Sequence, residues 1–269
     1  MRHPSRRWIG LLLAVLLAAI LPDGQGARAQ TERRLLSAPE AGEFRGVGRL
    51  NVYGSRFCTA TLIDASHVLT AAHCLYSPIT KRLVRLHGLT FVAGQYRDEY
   101  AAARRVVRMA TLPGFDFTAA ANLGDVSRDM ALLELDRPIP RSAAGPLPVA
   151  ASGGESGGII VSYARDRAYA PSIAGPCAPR GVTGAGVAML ACGVNAGVSG
   201  APVLAGRPGA RRVVAVVSAM ARDTRGSDVA LTVVAPPRIA ALRAALSARP
   251  VMSVAEQDAE RDRRRRAKD

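Results

Sequence analysis

From Arg49 onward the chain alternates short apolar runs with Gly, Pro, Asp and Ser. Leu50–Tyr53, Thr59–Ile63, His67–Thr70, Leu89–Ala93, Arg105–Met109, Met130–Leu135, Gly158–Tyr163, Val187–Ala191, Val213–Ser218 and Val229–Val234 are of strand length, rich in Val, Ile, Leu and Thr. Bounded by turn residues, they predict an all-β barrel or sandwich. The Pro- and Gly-bearing stretch Pro138–Gly154 is expected to join two halves, residues 45–140 and 141–235. One segment departs from this texture. Pro236-Pro237 opens a run with Ile239, Leu242 and Leu246 on one helical face, which predicts an amphipathic helix over 236–248. The polar stretch 30–44 shows no periodicity and reads as a leader, and the charged tail 249–269 reads as disordered.

The first residues follow a different logic. Arg2, Arg6 and Arg7 precede an apolar run from Trp8 to Leu21, and Ala27-Arg28-Ala29 offers small residues in a cleavage pattern. These features describe a secretory signal peptide over 1–29, cut between Ala29 and Gln30. The apolar run is shorter than the roughly twenty residues a bilayer-spanning helix needs, so no stable membrane anchor is expected after cleavage. A secreted or periplasmic location follows, and it makes disulfides plausible for Cys58, Cys74, Cys177 and Cys192. Four cysteines allow three pairings. The sequence-local one, 58–74 with 177–192, is favoured, since it closes one short loop in each half. Neither pair has C-x-x-C spacing, and no metal or cofactor is expected.

Charge raises a nucleic-acid reading and then weakens it. The formal net charge is +15, and without the first 29 residues it is +12. The tail from Val251 carries Arg263 to Arg266 but nets only +1, so the excess lies on the folded body. Aromatic residues make up only 4% of the chain, with no basic–aromatic cluster, and no nucleic-acid partner is expected. Arginine outnumbers lysine 34 to 2, a usage that hints at a GC-rich bacterial gene.

Three residues are candidates for chemistry. His73 ends Leu69-Thr70-Ala71-Ala72-His73-Cys74, beside a cysteine that would hold it rigidly, as a general base must be held. Asp129 stands at the mouth of the apolar Met130–Leu133 run, where a carboxylate could orient a histidine. Ser199 lies in Gly197-Val198-Ser199-Gly200-Ala201-Pro202, a turn able to expose a nucleophile and to aim the Gly197 and Ser199 N–H groups at an oxyanion. Each alone has a plainer explanation; together they run His, Asp, Ser along the chain.

That order, with Val68–Cys74, Asp129–Leu133 and Gly197–Pro202, resembles the chymotrypsin family of serine peptidases. Phe57–Ile63 is similar to the family's strand before the histidine, Val214–Ser218 to the strand that backs the substrate, and the motif order spans roughly residues 45 to 248. The resemblance implies two perpendicular six-stranded antiparallel barrels with His73, Asp129 and Ser199 in the cleft between them. It further implies a polypeptide substrate and an acyl-enzyme mechanism. Cys58–Cys74 would be the family's disulfide beside the histidine, and Cys177–Cys192 resembles the arrangement of bacterial trypsin-like and glutamyl-endopeptidase-like members. A catalytically silent binding protein of the bacterial envelope with the same fold is the alternative.

The departures sharpen the expectation. Digestive trypsins carry an Asp before the serine to receive a newly cut N-terminus; here Val198 stands there, and no Ile-Val-Gly-Gly start precedes it. Activation by N-terminal insertion is therefore not expected, and the turn should be held by packing and the 177–192 bridge. The pocket is expected to involve Gly193, Ser218, Met220 and, from the opposite wall, Asp228. Val217 stands where glutamyl endopeptidases place a histidine, which disfavours cleavage after Glu and points to a small or medium apolar side chain.

Overall fold

A computed structural model describes residues 33–118, 122–224 and 226–267. The elements, in chain order, are β1 (Arg34–Leu35), α1 (Ala38–Gly42), β2 (Val47–Val52), β3 (Arg56–Leu62), β4 (His67–Thr70), β5 (Leu89–Ala93), β6 (Ala102–Thr111), α2 (Leu123–Val126) and β7 (Ala131–Leu135). There follow β8 (Gly158–Ala164), β9 (Arg167–Val182), β10 (Val187–Ala191), β11 (Pro202–Ala205), β12 (Arg212–Arg222), β13 (Asp228–Val234), α3 (Ile239–Ser247) and α4 (Val254–Arg266).

Period-two alternation builds the first barrel. In β5, Leu89, Phe91 and Ala93 are buried while Thr90 and Val92 are half-buried, so one face of the strand turns inward. Six antiparallel strands close in the order β2-β3-β4-β7-β6-β5 around Leu50, Leu62, Val68, Phe91, Val106 and Leu133. In the second barrel β8, β9, β10, β13, β12 and β11 are successive neighbours, and the β8–β11 and β8–β9 pairings close the ring. Its interior holds Ile160, Leu190, Val203, Ala215 and Ala230. A third apolar cluster lies between the barrels and includes Leu69, Met130, Leu132, Tyr163, Val216 and Val233. Two closed barrels dispose of sheet edges, the general hazard of β proteins.

The chain ends cross over. β1 precedes the first barrel in sequence yet pairs with β9 of the second. α3 follows the second barrel yet packs on β6 and β7 of the first. Its face is the predicted one: Leu242 and Leu246 are buried, and a 3-10 turn at Pro236–Arg238 leads into it.

Two expectations are corrected. The stretch 30–44 is no bare leader, because from Arg34 it forms β1 and α1 and buries Leu36, Ala41 and Phe44. Those apolar residues are too sparse to produce a periodic signal. The tail is not disordered over 254–266 but forms α4, started by a reciprocal Ser253–Glu256 capping box. Docking on the first barrel holds it there: Gln257 is fully buried and donates to the carbonyl of Val106, Arg105 pairs with Asp258, and Arg85 with Glu260. Composition favoured disorder because these are polar contacts between distant residues. The expected signal peptide and its cleavage point lie outside the described residues. Among the described residues, no helix is long and apolar enough to cross a membrane.

Candidate active site

β4 runs out at Thr70 into a 3-10 turn over Ala72–Leu75, and that turn carries His73. The disulfide between Cys58 and Cys74 fastens the turn to β3. Asp129 follows α2 and stands just before β7, which pairs with β4 along the whole length of the latter. The two elements therefore deliver the carboxylate to the histidine. Oδ1 of Asp129 accepts the backbone N–H of His73 at 2.8 Å, and Oδ2 meets Nδ1 of the ring at 2.7 Å. The hydroxyl of Ser218, on β12, donates to the same Oδ2.

Asp129 is 4% exposed. Burial pushes its carboxyl pKa up, but the charge of His73 and the hydrogen bonds from His73 and Ser218 outweigh burial and hold it below its ordinary value. The group is thus an anion at neutral pH, aimed at Nδ1. With Nδ1–H donating to Asp129, Nε2 is left as the basic nitrogen on a ring whose side chain is 28% exposed.

Ser199 lies on the turn between β10 and β11 and is half-exposed, while its neighbours Val198 and Gly200 are buried. The turn is pressed against β3, the strand that the Cys58–Cys74 disulfide ties to the His73 turn. The N–H of Thr59 donates to the carbonyls of Gly197 and Ser199, and Gly200 donates to the carbonyl of Val217. Gly200 has φ +81°, and a Cβ there would lie 2.2 Å from the carbonyl oxygen of Thr59 and 3.1 Å from the nitrogen of Ala71. Only glycine permits both that conformation and that approach.

Within the turn, Val198, Gly200 and Ala201 spend their N–H groups on carbonyls. Among the described residues, the N–H groups of Gly197 and Ser199 make no such bond. Two free donors flanking a half-exposed serine are what an oxyanion requires. Val198 is 1% exposed and shares the second-barrel core with Val194 and the bonded pair Cys177–Cys192, so the turn is anchored by apolar packing and a disulfide. Both expected disulfides are present.

Beside Ser199 opens a small cleft of about 170 Å³, walled by Val194–Ala196 and Val198 on one side and Val217–Met220 on the other. Among the described residues, no charged side chain lines it. Ser218 and Met220 are where the sequence suggested, although the hydroxyl of Ser218 serves Asp129. Gly193 and Asp228 are not in the lining. Asp228 stands opposite Arg222 across the β12–β13 ladder and pairs with its guanidinium at 3.3 Å, so its charge is answered outside the cleft. Ligand atoms of Cys58, His73 and Cys74 lie within 4.8 Å of one another, but the two sulfurs are joined in the disulfide and offer no thiolate to a metal.

The Ser218–Asp129 bond is the feature that sequence reasoning did not foresee. Its position at the end of Val213–Ser218 marked it as cleft-facing, but only the folding of β12 against the Asp129 segment shows which partner it meets.

Comparison with known proteins supports the fold. Residues 37–167 match the Trypsin family model. A solved Glu endopeptidase, in complex with MPD, superposes with a TM-score of 0.62 at 16% sequence identity, covering 80% of this chain and 96% of that one. The architecture is that of the trypsin-like fold.

Proposed function

We propose that this trypsin-like chain is a serine endopeptidase in which Ser199, His73 and Asp129 form the catalytic triad. Ser199 Oγ attacks the peptide carbonyl as Nε2 of His73 takes its proton. The oxyanion so formed is met by the N–H groups of Gly197 and Ser199. Collapse releases the amine, protonated by His73, and leaves an acyl group on Ser199. Water, deprotonated by His73, then frees the enzyme. Asp129 stays ionised, holding the ring tautomer and the imidazolium. The observation that carries this reading is the two-point contact of buried Asp129 with His73, next to a turn with two unspent donors around an accessible serine.

Three finer readings belong to the proposal. The largely apolar, uncharged walls of the cleft and the exposed Met220 at its mouth suit a small uncharged side chain before the cleaved bond. They do not suit the acid that the name of the Glu endopeptidase implies for that protein. Buried Val198 makes the enzyme competent without insertion of a new N-terminus. Two disulfides suit an oxidising compartment, secreted or periplasmic.

A fluorophosphonate probe tests the central claim. Wild-type protein beginning at Gln30 should be labelled, and Ser199→Ala should not. Absence of labelling in both would favour a silent, protease-like binding protein. Cleavage sites in a peptide library, read by mass spectrometry, test the specificity.

A further inference from the structure

A second cavity, of about 1000 Å³, lies away from Ser199, between β6, the chain following Cys74 and the C-terminal arm. Its size falls within the range that takes small organic ligands. Two kinds of surface meet in it. Leu83, Leu86, Met109 and Val251 supply hydrocarbon, and Leu83 and Val251 are 47% and 54% exposed, which leaves apolar area facing water. Arg108, Arg249, Arg263 and Arg264 supply positive charge, against Glu256 and Glu260.

The way α4 docks decides which of these charges are free. Glu260 is shared by Arg85 and Arg264, Glu256 caps its own helix through Ser253, and Arg108 is held by Glu134. Among the described residues, the guanidinium groups of Arg249 and Arg263 make no hydrogen bond or ion pair. Burial and the charge of Asp116 raise the pKa of Tyr76, another lining residue, and Arg249 lies close enough to offset part of that rise. Asp258 and Glu260 of the tail thus pair with Arg105 and Arg85 of the barrel, while, among the described residues, Arg249 and Arg263 stand unpaired beside an apolar floor.

We propose that this cavity binds an anionic single-chain amphiphile. The hydrocarbon chain lies on Leu83, Leu86, Met109 and Val251, and the carboxylate or phosphate head is held by Arg249 and Arg263. A guanidinium presents paired donors that match such an oxyanion. The site is separate from the catalytic cleft and does not depend on the peptidase reading.

Calorimetric titration of the full chain with octanoate, nonanoate and decanoate, each below its micelle concentration, tests the site. Dodecyl phosphate, decanol and acetate complete the series. Saturable 1:1 binding is expected, with Kd falling about fourfold per added methylene. Dodecyl phosphate binding as well would assign the site to anionic heads in general, and carboxylate binding alone to fatty-acid-like ligands. The double variant Arg249→Ala/Arg263→Ala should raise Kd tenfold or more, as should Leu83→Asp. All three side chains are exposed, so folding should survive. No saturable binding of either anion would overturn the proposal. So would decanol binding as tightly as decanoate, acetate binding as tightly as decanoate, or an unaltered Kd in the double variant.

Discussion

The hydroxyl of Ser218 and Nδ1 of His73 converge on one oxygen, Oδ2 of Asp129, while Oδ1 takes the backbone N–H of His73. The carboxylate is therefore fixed at both ends, and the orientation of the ring depends on a serine from the second barrel. Ser218→Ala removes one of these donors and leaves the rest of the site in place. A hydrogen bond to a charged group contributes about 1.5–3 kcal/mol. We expect kcat on a cleaved peptide to fall by about one to two orders of magnitude, with KM little changed. A KM effect of the same size with kcat preserved would mean that Ser218 acts on substrate binding instead.

Acid stability follows from the same carboxylate. Its pKa in the folded protein lies below the ordinary value of 3.8, so the native state keeps the anion to lower pH than the unfolded chain does. The stabilisation this supplies is complete above the unfolded value and is lost as pH falls through the folded one. Tm should accordingly decline below about pH 4. Asp129→Asn should flatten that decline and cut kcat by about four orders of magnitude through the wrong histidine tautomer. Thermal scans of both proteins across the acid range decide it: parallel Tm curves would show that other carboxylates govern acid unfolding.

Gly200 is a test of geometry rather than of chemistry. An alanine there would carry its Cβ to 2.2 Å from the carbonyl oxygen of Thr59 and from Oγ1 of Thr70, at a φ of +81°. Gly200→Ala should destabilise the protein by about 2–4 kcal/mol and abolish turnover. Gly184, exposed and with nothing within 4 Å of a built Cβ, provides the control. Its replacement by alanine should stay within about 0.5 kcal/mol of wild type. Urea unfolding compares the two.

The arm offers a fourth prediction. Gln257 is fully buried, donates to the carbonyls of Val106 and Met252, and accepts from Arg105. Gln257→Ala should cost roughly 1–3 kcal/mol by leaving those groups unanswered. If thermal unfolding were unmoved, the docking of α4 would have to rest on its ion pairs alone.

Much of this was legible before the structure. β4, β5 and β10 coincide with runs marked by apolar content alone, because each is a short inward-facing strand between turn residues. β9 escaped notice: it is rich in Gly, Pro and Arg, and its last residues are exposed, so it shows neither a run nor an alternation. Yet it pairs with β1, β8 and β10, and long-range pairing is what residue-by-residue pattern does not report. The site divides in the same way. His73 and Ser199 stood out through the order of their flanking motifs rather than through either turn alone. Asp228 falls outside the cleft because its ion pair with Arg222 depends on the register of a hairpin, and the bond from Ser218 to Asp129 was not legible because its partner lies 89 residues away.

The crossing of the chain ends has a mechanical meaning. β1 binds the barrel that is built later in the chain, and α3 and α4 bind the barrel built earlier, so each half is lashed by a segment it did not supply. The barrels cannot be parted at the cleft without peeling one of these lashings away. Tension on the two termini would load the lashings while the barrels themselves remain closed. Cargo fused to either end would pull on the segments that hold the two barrels together.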